Sequence, residues 1–185
     1  MYIKIDWIIT DGDGALGIKP KPRGGDMLAE ELYALREMGV DVIVSLLTEG
    51  ECRELELSDE KEISQQYGME FISFPIPDRQ HPTDMLGYLR LIKILVDRLH
   101  QGQKIIIHCR TGIGRASLVA AGVLVLQGIP VDDAFARISA AKRCPVPDTD
   151  TQRQWLGDFA RQYRQIERDS ELVERLSSME NDDDH

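Results

Sequence analysis

A chain of 185 residues with 42% hydrophobic content is long enough for one well-packed domain and short for two. Its net charge of −10, from 32 acidic against 22 basic residues, excludes the broad basic surface that nucleic acid or an anionic membrane requires. No apolar run reaches bilayer length. The cysteines, Cys52, Cys109 and Cys144, are too scattered for a disulfide framework; with no secretory leader visible, the expected setting is a reducing cytoplasm.

Residues 2–10 alternate as an opening strand, with Ile3, Ile5, Trp7 and Ile9 on one face. Residues 11–25 are rich in glycine and proline and are assigned to turns; the DGDG within them lacks the further ligands and closing glutamate of a calcium loop. Asp26 is placed as the N-cap of a helix over 27–38, with Leu28, Leu32 and Leu35 inward and Gly39 as its stop. The β-branched run at 41–47 suits a parallel strand buried on both faces. Residues 48–56 and 59–67 form short, charged surface helices, and 69–74 a further strand.

That strand runs into PIPDRQHP, where prolines fix an extended loop around Asp78, flanked by Arg79 and His81. An amphipathic helix follows, with Leu86, Leu89, Ile92, Val96 and Leu99 at helical spacing and Gly102 at its end.

The stretch KIIIHCRTGIGRAS at 104–117 is an apolar strand, a tight loop and the start of an apolar helix. Cys109 and Arg115 stand at the two ends of the loop, with Arg110, Thr111, Gly112, Ile113 and Gly114 between them. Successive N–H groups from Arg110 to Arg115 can converge on one anion, and the helix beginning there adds its partial positive charge. Gly112 and Gly114 permit positive φ and close approach of a ligand. Arg115 offers a planar fork to two oxygens of a phosphate. A cysteine thiolate would be stabilised by the same groups, and a nucleophile beneath a bound phosphorus suits phosphoryl transfer through a cysteinyl-phosphate. No G-x-x-x-x-G-K-[ST] is present, so a Walker-type loop is excluded.

Further helices are expected over 117–127 and 131–142. A rigid CPVP connection then leads to a last helix through Trp155, Phe159 and Tyr163. Acids accumulate after Arg168. The body is therefore placed at 1–168 and an acidic tail at 169–185, disordered at its end. Alternating strands and helices indicate a single α/β domain, a central, mostly parallel sheet flanked by helices, with the site at the carboxyl edge of the sheet. The histidines and cysteines show no paired ligand spacing, so neither metal nor cofactor is expected.

HCRTGIGRAS resembles the signature H-C-x-x-G-x-x-R-[ST] of the cysteine-dependent protein tyrosine and dual-specificity phosphatases, and its G-x-G-R form is most similar to the kinase-associated, cyclin-dependent-kinase inhibitor 3-like branch. The resemblance implies Cys109 as nucleophile, Arg115 and the loop amides as phosphate holders, and His108 as a residue that tunes the loop. It also implies Asp78 as general acid and then base, and Gln152 as the residue that positions water. Gln154 is the alternative for water, and Asp148 and Asp150 are alternatives for the acid. The chain departs from the signature at Ala116, where a hydroxyl residue usually follows the arginine, and Ser117 is the candidate replacement. The implied activity is hydrolysis of phosphotyrosine or phosphoserine/threonine in a protein or peptide, by a monomer without nucleic-acid or membrane partners. Alternatives are a phosphate-binding module with little turnover, a phosphatase for lipid or small-molecule phosphates and, remotely, a rhodanese-like sulfur transferase.

Overall fold

Five short strands form one sheet in the order β1 (Asp6–Asp11), β2 (Gly14–Pro20), β5 (Lys104–Cys109), β3 (Val42–Ser45), β4 (Glu70–Ser73). Only β1 and β2 run antiparallel; the other neighbours are parallel. The structure, a computed structural model, describes residues 3–12 and 14–182. Tyr2, expected at the start of the first strand, and residues 183–185 lie outside the described residues.

Because side chains alternate along a strand, the sheet supplies two cores. Leu16, Ile18, Val42, Val44, Ile105 and Ile107 face a large cluster with α4 (Met85–His100), α5 (Arg115–Leu126), α6 (Val131–Lys142) and α7 (Asp150–Asp182). Ile43, Leu47 and Ile106 face a smaller one with α1 (Leu28–Glu37) and the neighbourhood of α2 (Glu49–Glu54) and α3 (Glu60–Gln66). No described helix is long and apolar enough to cross a membrane.

Several local expectations change. The turn-rich segment contains β2, buried from Gly14 to Lys19 and paired on both sides; the Asp-Gly at 11–12 is a hairpin signal outweighed in the sequence by the surrounding glycines and prolines. A register shift between Trp7 and Ile9 moves Ile8 and Ile9 to the large core, whereas Ile3, Ile5 and Trp7 pack on the smaller one. Asp26 sits inside a 3-10 turn, Gly25–Met27, rather than capping α1 with its side chain. In α4 the buried stripe is Tyr88, Leu91, Ile92, Leu95 and Leu99, and Leu86 is exposed. The acidic stretch after Arg168 continues α7 as far as Asp182, helped at its start by i,i+4 contacts such as Gln165 with Asp169.

Helix α5 is buried from Arg115 to Val125, as expected for a helix apolar all round. It fits under α4 because Gly122 leaves room for the Tyr88 hydroxyl, which donates to the Leu118 carbonyl at 2.7 Å. A Cβ at 122 would fall inside the Tyr88 oxygen. Gly122→Ala is therefore expected to lower unfolding stability by about 2 kcal/mol, from overpacking and the lost hydrogen bond. Urea unfolding checks this; a change within experimental error would mean that α4 yields freely.

Candidate active site

β5 ends at Cys109, and α5 begins at Arg115 with Gly114 as its N-cap. Both ends of the loop are sunk into the protein: Cys109 is 2% exposed and Arg115 1%. The Cys109 Sγ accepts a hydrogen bond from the Gly112 N–H at 3.2 Å. Gly112 has φ +74°, and a side chain there would also strike the Lys19 carbonyl on β2. Gly114 needs its missing Cβ for space, because the Asp148 carboxylate packs directly on it. Asp148 thus stands over the loop, while Asp150 opens α7.

The Arg115 guanidinium is clamped. Nη1 donates to Glu51 Oε2 at 2.8 Å and to the Ile76 carbonyl at 2.8 Å, and Nη2 donates to Glu51 Oε1 at 2.9 Å. Nη2 also lies 3.0 Å from Asp78 Oδ1. Burial works against the charge on Arg115, but the Glu51 hydrogen bonds and the negative charges at Cys109, Glu51 and Asp78 raise its pKa overall. Burial alone would push the Glu51 carboxyl up; hydrogen bonds from Arg115 and Thr48 outweigh it and hold it at about 2. The fork is fixed before any ligand arrives, with Asp78 in ion-pair contact at its edge.

Glu51 also closes a capping box at the start of α2, where the Thr48 N–H donates to its Oε2 at 3.0 Å and its own N–H donates to Thr48 Oγ1 at 3.3 Å. The same residue therefore starts a helix and orients the arginine. His108, 0% exposed, has Nε2 2.8 Å from Oε1 of Glu60, which is 1% exposed; the two are in contact without an aligned hydrogen bond. On β2, Lys19 Nζ donates to Glu31 Oε1 at 2.8 Å, and both are buried. Burial lowers the Lys19 pKa despite its carboxylate partners. Each of α1, α2 and α3 thus sends one glutamate beneath the loop, so α2 and α3 are not merely charged surface helices.

The remaining expected residues divide. The Arg110 side chain turns away to Glu54, at 2.9 Å, and more loosely to Glu51, leaving its backbone in the loop. Thr111 is exposed, and Ile113 packs against the large core. Asp78 is 57% exposed by side chain and sits in a turn in which the Gln80 N–H donates to the Pro77 carbonyl at 3.0 Å, with Arg79 at φ +59°. That turn is held from α7: Gln152 Nε2 donates to the Gln80 carbonyl at 3.0 Å, and the His81 ring stacks on Trp155 at 5.7 Å. Gln152 is fully buried, and its Oε1 has no hydrogen-bond partner among the described residues. The Ser117 hydroxyl is also buried without such a partner, so it makes no bond to Cys109.

A thiol over a helix N-terminus, an oriented guanidinium and a carboxylate at its edge can together hold a tetrahedral dianion and exchange a group with it. Among the described residues no cluster of His, Cys, Asp and Glu is arranged to hold a metal ion. Glu51, Glu60, Glu31 and Lys19 were missed from sequence. Only Glu51 left a local signal there, the T-x-x-E of its capping box.

The chain is 32% identical over 120 residues to protein 197R of Invertebrate iridescent virus 6, named as a tyrosine phosphatase, a match covering 62% of this chain and 42% of that one. It is 32% identical over 98 residues to cyclin-dependent kinase inhibitor 3 of Rattus norvegicus, covering 53% and 46% respectively. It thus spans about half the length of these curated relatives. In fold, it superimposes on a crystal structure of kinase associated phosphatase carrying serine for its catalytic-site cysteine, with TM-score 0.77, 22% identity and coverage of 88% of this chain and 96% of that one. Tk-PTP in its active form gives TM-score 0.69 at 23% identity, covering 87% and 99%. The family described as "Polymorphic toxin system, DSP-PTPase phosphatase" matches residues 17–129, from β2 through the whole loop and α5. The chain belongs to this DSP-PTPase phosphatase family.

Proposed function

We propose that the protein hydrolyses phosphomonoesters on phosphorylated proteins or peptides through a cysteinyl-phosphate. The Cys109 thiolate attacks phosphorus; the S–P bond forms as the P–O bond to the substrate breaks. Arg115 and the loop amides carry the non-bridging oxygens. Asp78 gives its proton to the departing oxygen, then takes one from a water held by the Oε1 of Gln152 as that water attacks phosphorus. The S–P bond breaks, and thiolate and inorganic phosphate are released. The single observation that carries this reading is the buried Arg115 fork, fixed by Glu51 and shared at 3.0 Å with Asp78. A phosphate arriving at the loop takes up the guanidinium, and the Asp78 carboxylate so released picks up a proton from solvent and passes it to the leaving group.

The acidic balance of the chain fits a phosphate captured by a local field rather than by a basic surface. Action as a monomer in the cytoplasm belongs to the same reading. A second reading, capture of phosphoproteins with slow release, is favoured by one feature: Ala116 carries no hydroxyl and the Ser117 hydroxyl is bonded to none of the described groups. In that case the second step is the slow one.

The test is metal-free turnover of p-nitrophenyl phosphate and a phosphopeptide. The parent protein is expected to turn over both, and Asp78→Ala to slow the phosphopeptide about 100-fold, the scale of a general acid. Vanadate binding without turnover by the parent would replace the enzymatic reading with the binding one.

A further inference from the structure

Strand register sets a polar row across the sheet, on the face of the smaller core. Lys19 is paired with His108, His108 with Ser45, and Ser45 with Ser73. These residues share a face because Ile106, Ile43 and Phe71, two positions earlier in β5, β3 and β4, all pack in that core. Lys19 and His108 have glutamates above them. Beyond, at the Ser45 and Ser73 end, the row opens into a cavity of about 440 Å³ lined also by Glu60, Cys52, Leu47 and Phe71.

Two buried polar groups at this end lack hydrogen bonds. Ser45 is 2% exposed, and its hydroxyl has no partner among the described residues. Glu60 is 1% exposed; neither of its carboxylate oxygens has an aligned donor among the described residues, and its Oε1 lies 2.8 Å from His108 Nε2. A buried carboxylate and hydroxyl left so favour a donor that can enter and satisfy both. Around Cys52 the surroundings are acidic: burial pushes its thiol up, and the charges of Glu60, Glu51 and Glu49 push it further. The cations on the lining, Arg53 and Lys61, are exposed at the mouth, and Arg53 is already paired with Glu49. Leu47, Leu57, Phe71 and Pro75 supply an apolar part of the wall beside these polar groups, and the size lies within the range of small-ligand sites.

We infer that this cavity binds a small organic cation, a primary ammonium on a short apolar body, with its head between Ser45, Ser73 and Glu60. The ammonium donates to the Ser45 oxygen and the Glu60 carboxylate, and the apolar body lies along Leu47 and Phe71. Glu60 is shared with His108, the residue before Cys109, so occupancy draws Glu60 from the histidine and loosens the loop. That coupling, unlike the site itself, rests on the phosphatase reading.

Calorimetric titration of the full chain with 2-phenylethylamine is expected to saturate with a dissociation constant on the order of 1 mM. Ser73→Leu, a substitution at an exposed position on the cavity wall, is expected to weaken binding at least about tenfold, as is Glu60→Gln. The neutral isostere 2-phenylethanol is expected to bind at least about tenfold more weakly than the amine. No saturable heat, undiminished binding to Ser73→Leu, or equal binding of the alcohol would overturn the site. At saturation the amine is expected to lower turnover of p-nitrophenyl phosphate about fivefold; saturable binding with unchanged turnover would overturn the coupling. A parent protein without turnover bears on the phosphatase reading alone, because the titration does not depend on it.

Discussion

Cys109→Ser is expected to reduce metal-free hydrolysis of p-nitrophenyl phosphate by about 10⁴-fold or more, in line with removal of a nucleophile whose partners act as a unit. The Sγ lies at the buried start of the loop and accepts the Gly112 N–H. A hydroxyl fits the same space but keeps its proton where the thiol can give its up, so the loss is chemical rather than structural. Unfolding stability should stay within about 1 kcal/mol of the parent, and vanadate or phosphopeptide binding should persist. Stopped assays with the two proteins side by side, together with urea unfolding, make the comparison. Residual activity within tenfold of the parent would place the nucleophile elsewhere.

Glu51→Gln is expected to damage both stability and rate. The carboxamide keeps the shape but offers a single acceptor oxygen, so one arm of the Arg115 fork is left facing an N–H₂ group. Breaking a buried pair by altering one partner costs about 3–5 kcal/mol, and a guanidinium off its axis costs about 100-fold in rate. The pH dependence separates this from general damage. The Glu51 carboxyl is held at about 2 in the folded chain against 4.5 ordinarily, so between those values the unfolded state binds the proton and the folded state does not. Stability from this group is therefore complete above about pH 4.5 and lost as pH falls toward 2, by an upper bound of about 3 kcal/mol. Glu31, whose carboxyl is also lowered, contributes in the same direction. The parent and variant curves, measured by urea unfolding at stepped pH, should converge toward pH 2; parallel curves would mean that Glu51 carries no special proton linkage.

The line between what was legible in the sequence and what was not follows the range of the interactions. The loop was legible because its parts lie next to one another: a β-branched strand, glycines at close-approach points, an arginine and an apolar helix within fourteen residues. Asp78 and Gln152 came through resemblance, and the structure ties them together through Gln80. The glutamates beneath the loop were hidden because a glutamate on a short helix has the same pattern whether it meets water or a buried cation. Glu60 meets His108 only once α3 lies over β5. Strand β2 was hidden for a related reason: its glycines and prolines resemble a turn until β1 and β5 supply hydrogen bonds on either side. The exposed position of Leu86 and the shift at Ile9 are failures of strict periodicity, one at the first turn of a helix and one at a bulge.

The attachment of the Asp78 turn to α7 has a consequence for the order in which the chain becomes competent during synthesis. The loop from Cys109 to Arg115 and its glutamates precede Gln152 and Trp155 in the chain, so they leave the ribosome first. The turn bearing Asp78 cannot be held until Gln152 and Trp155 emerge to grip Gln80 and His81. A ribosome-bound chain stopped short of residue 152 would carry the loop with the Asp78 turn still unheld. The placing of Asp78 at the loop is thus completed by contacts that lie outside the signature altogether.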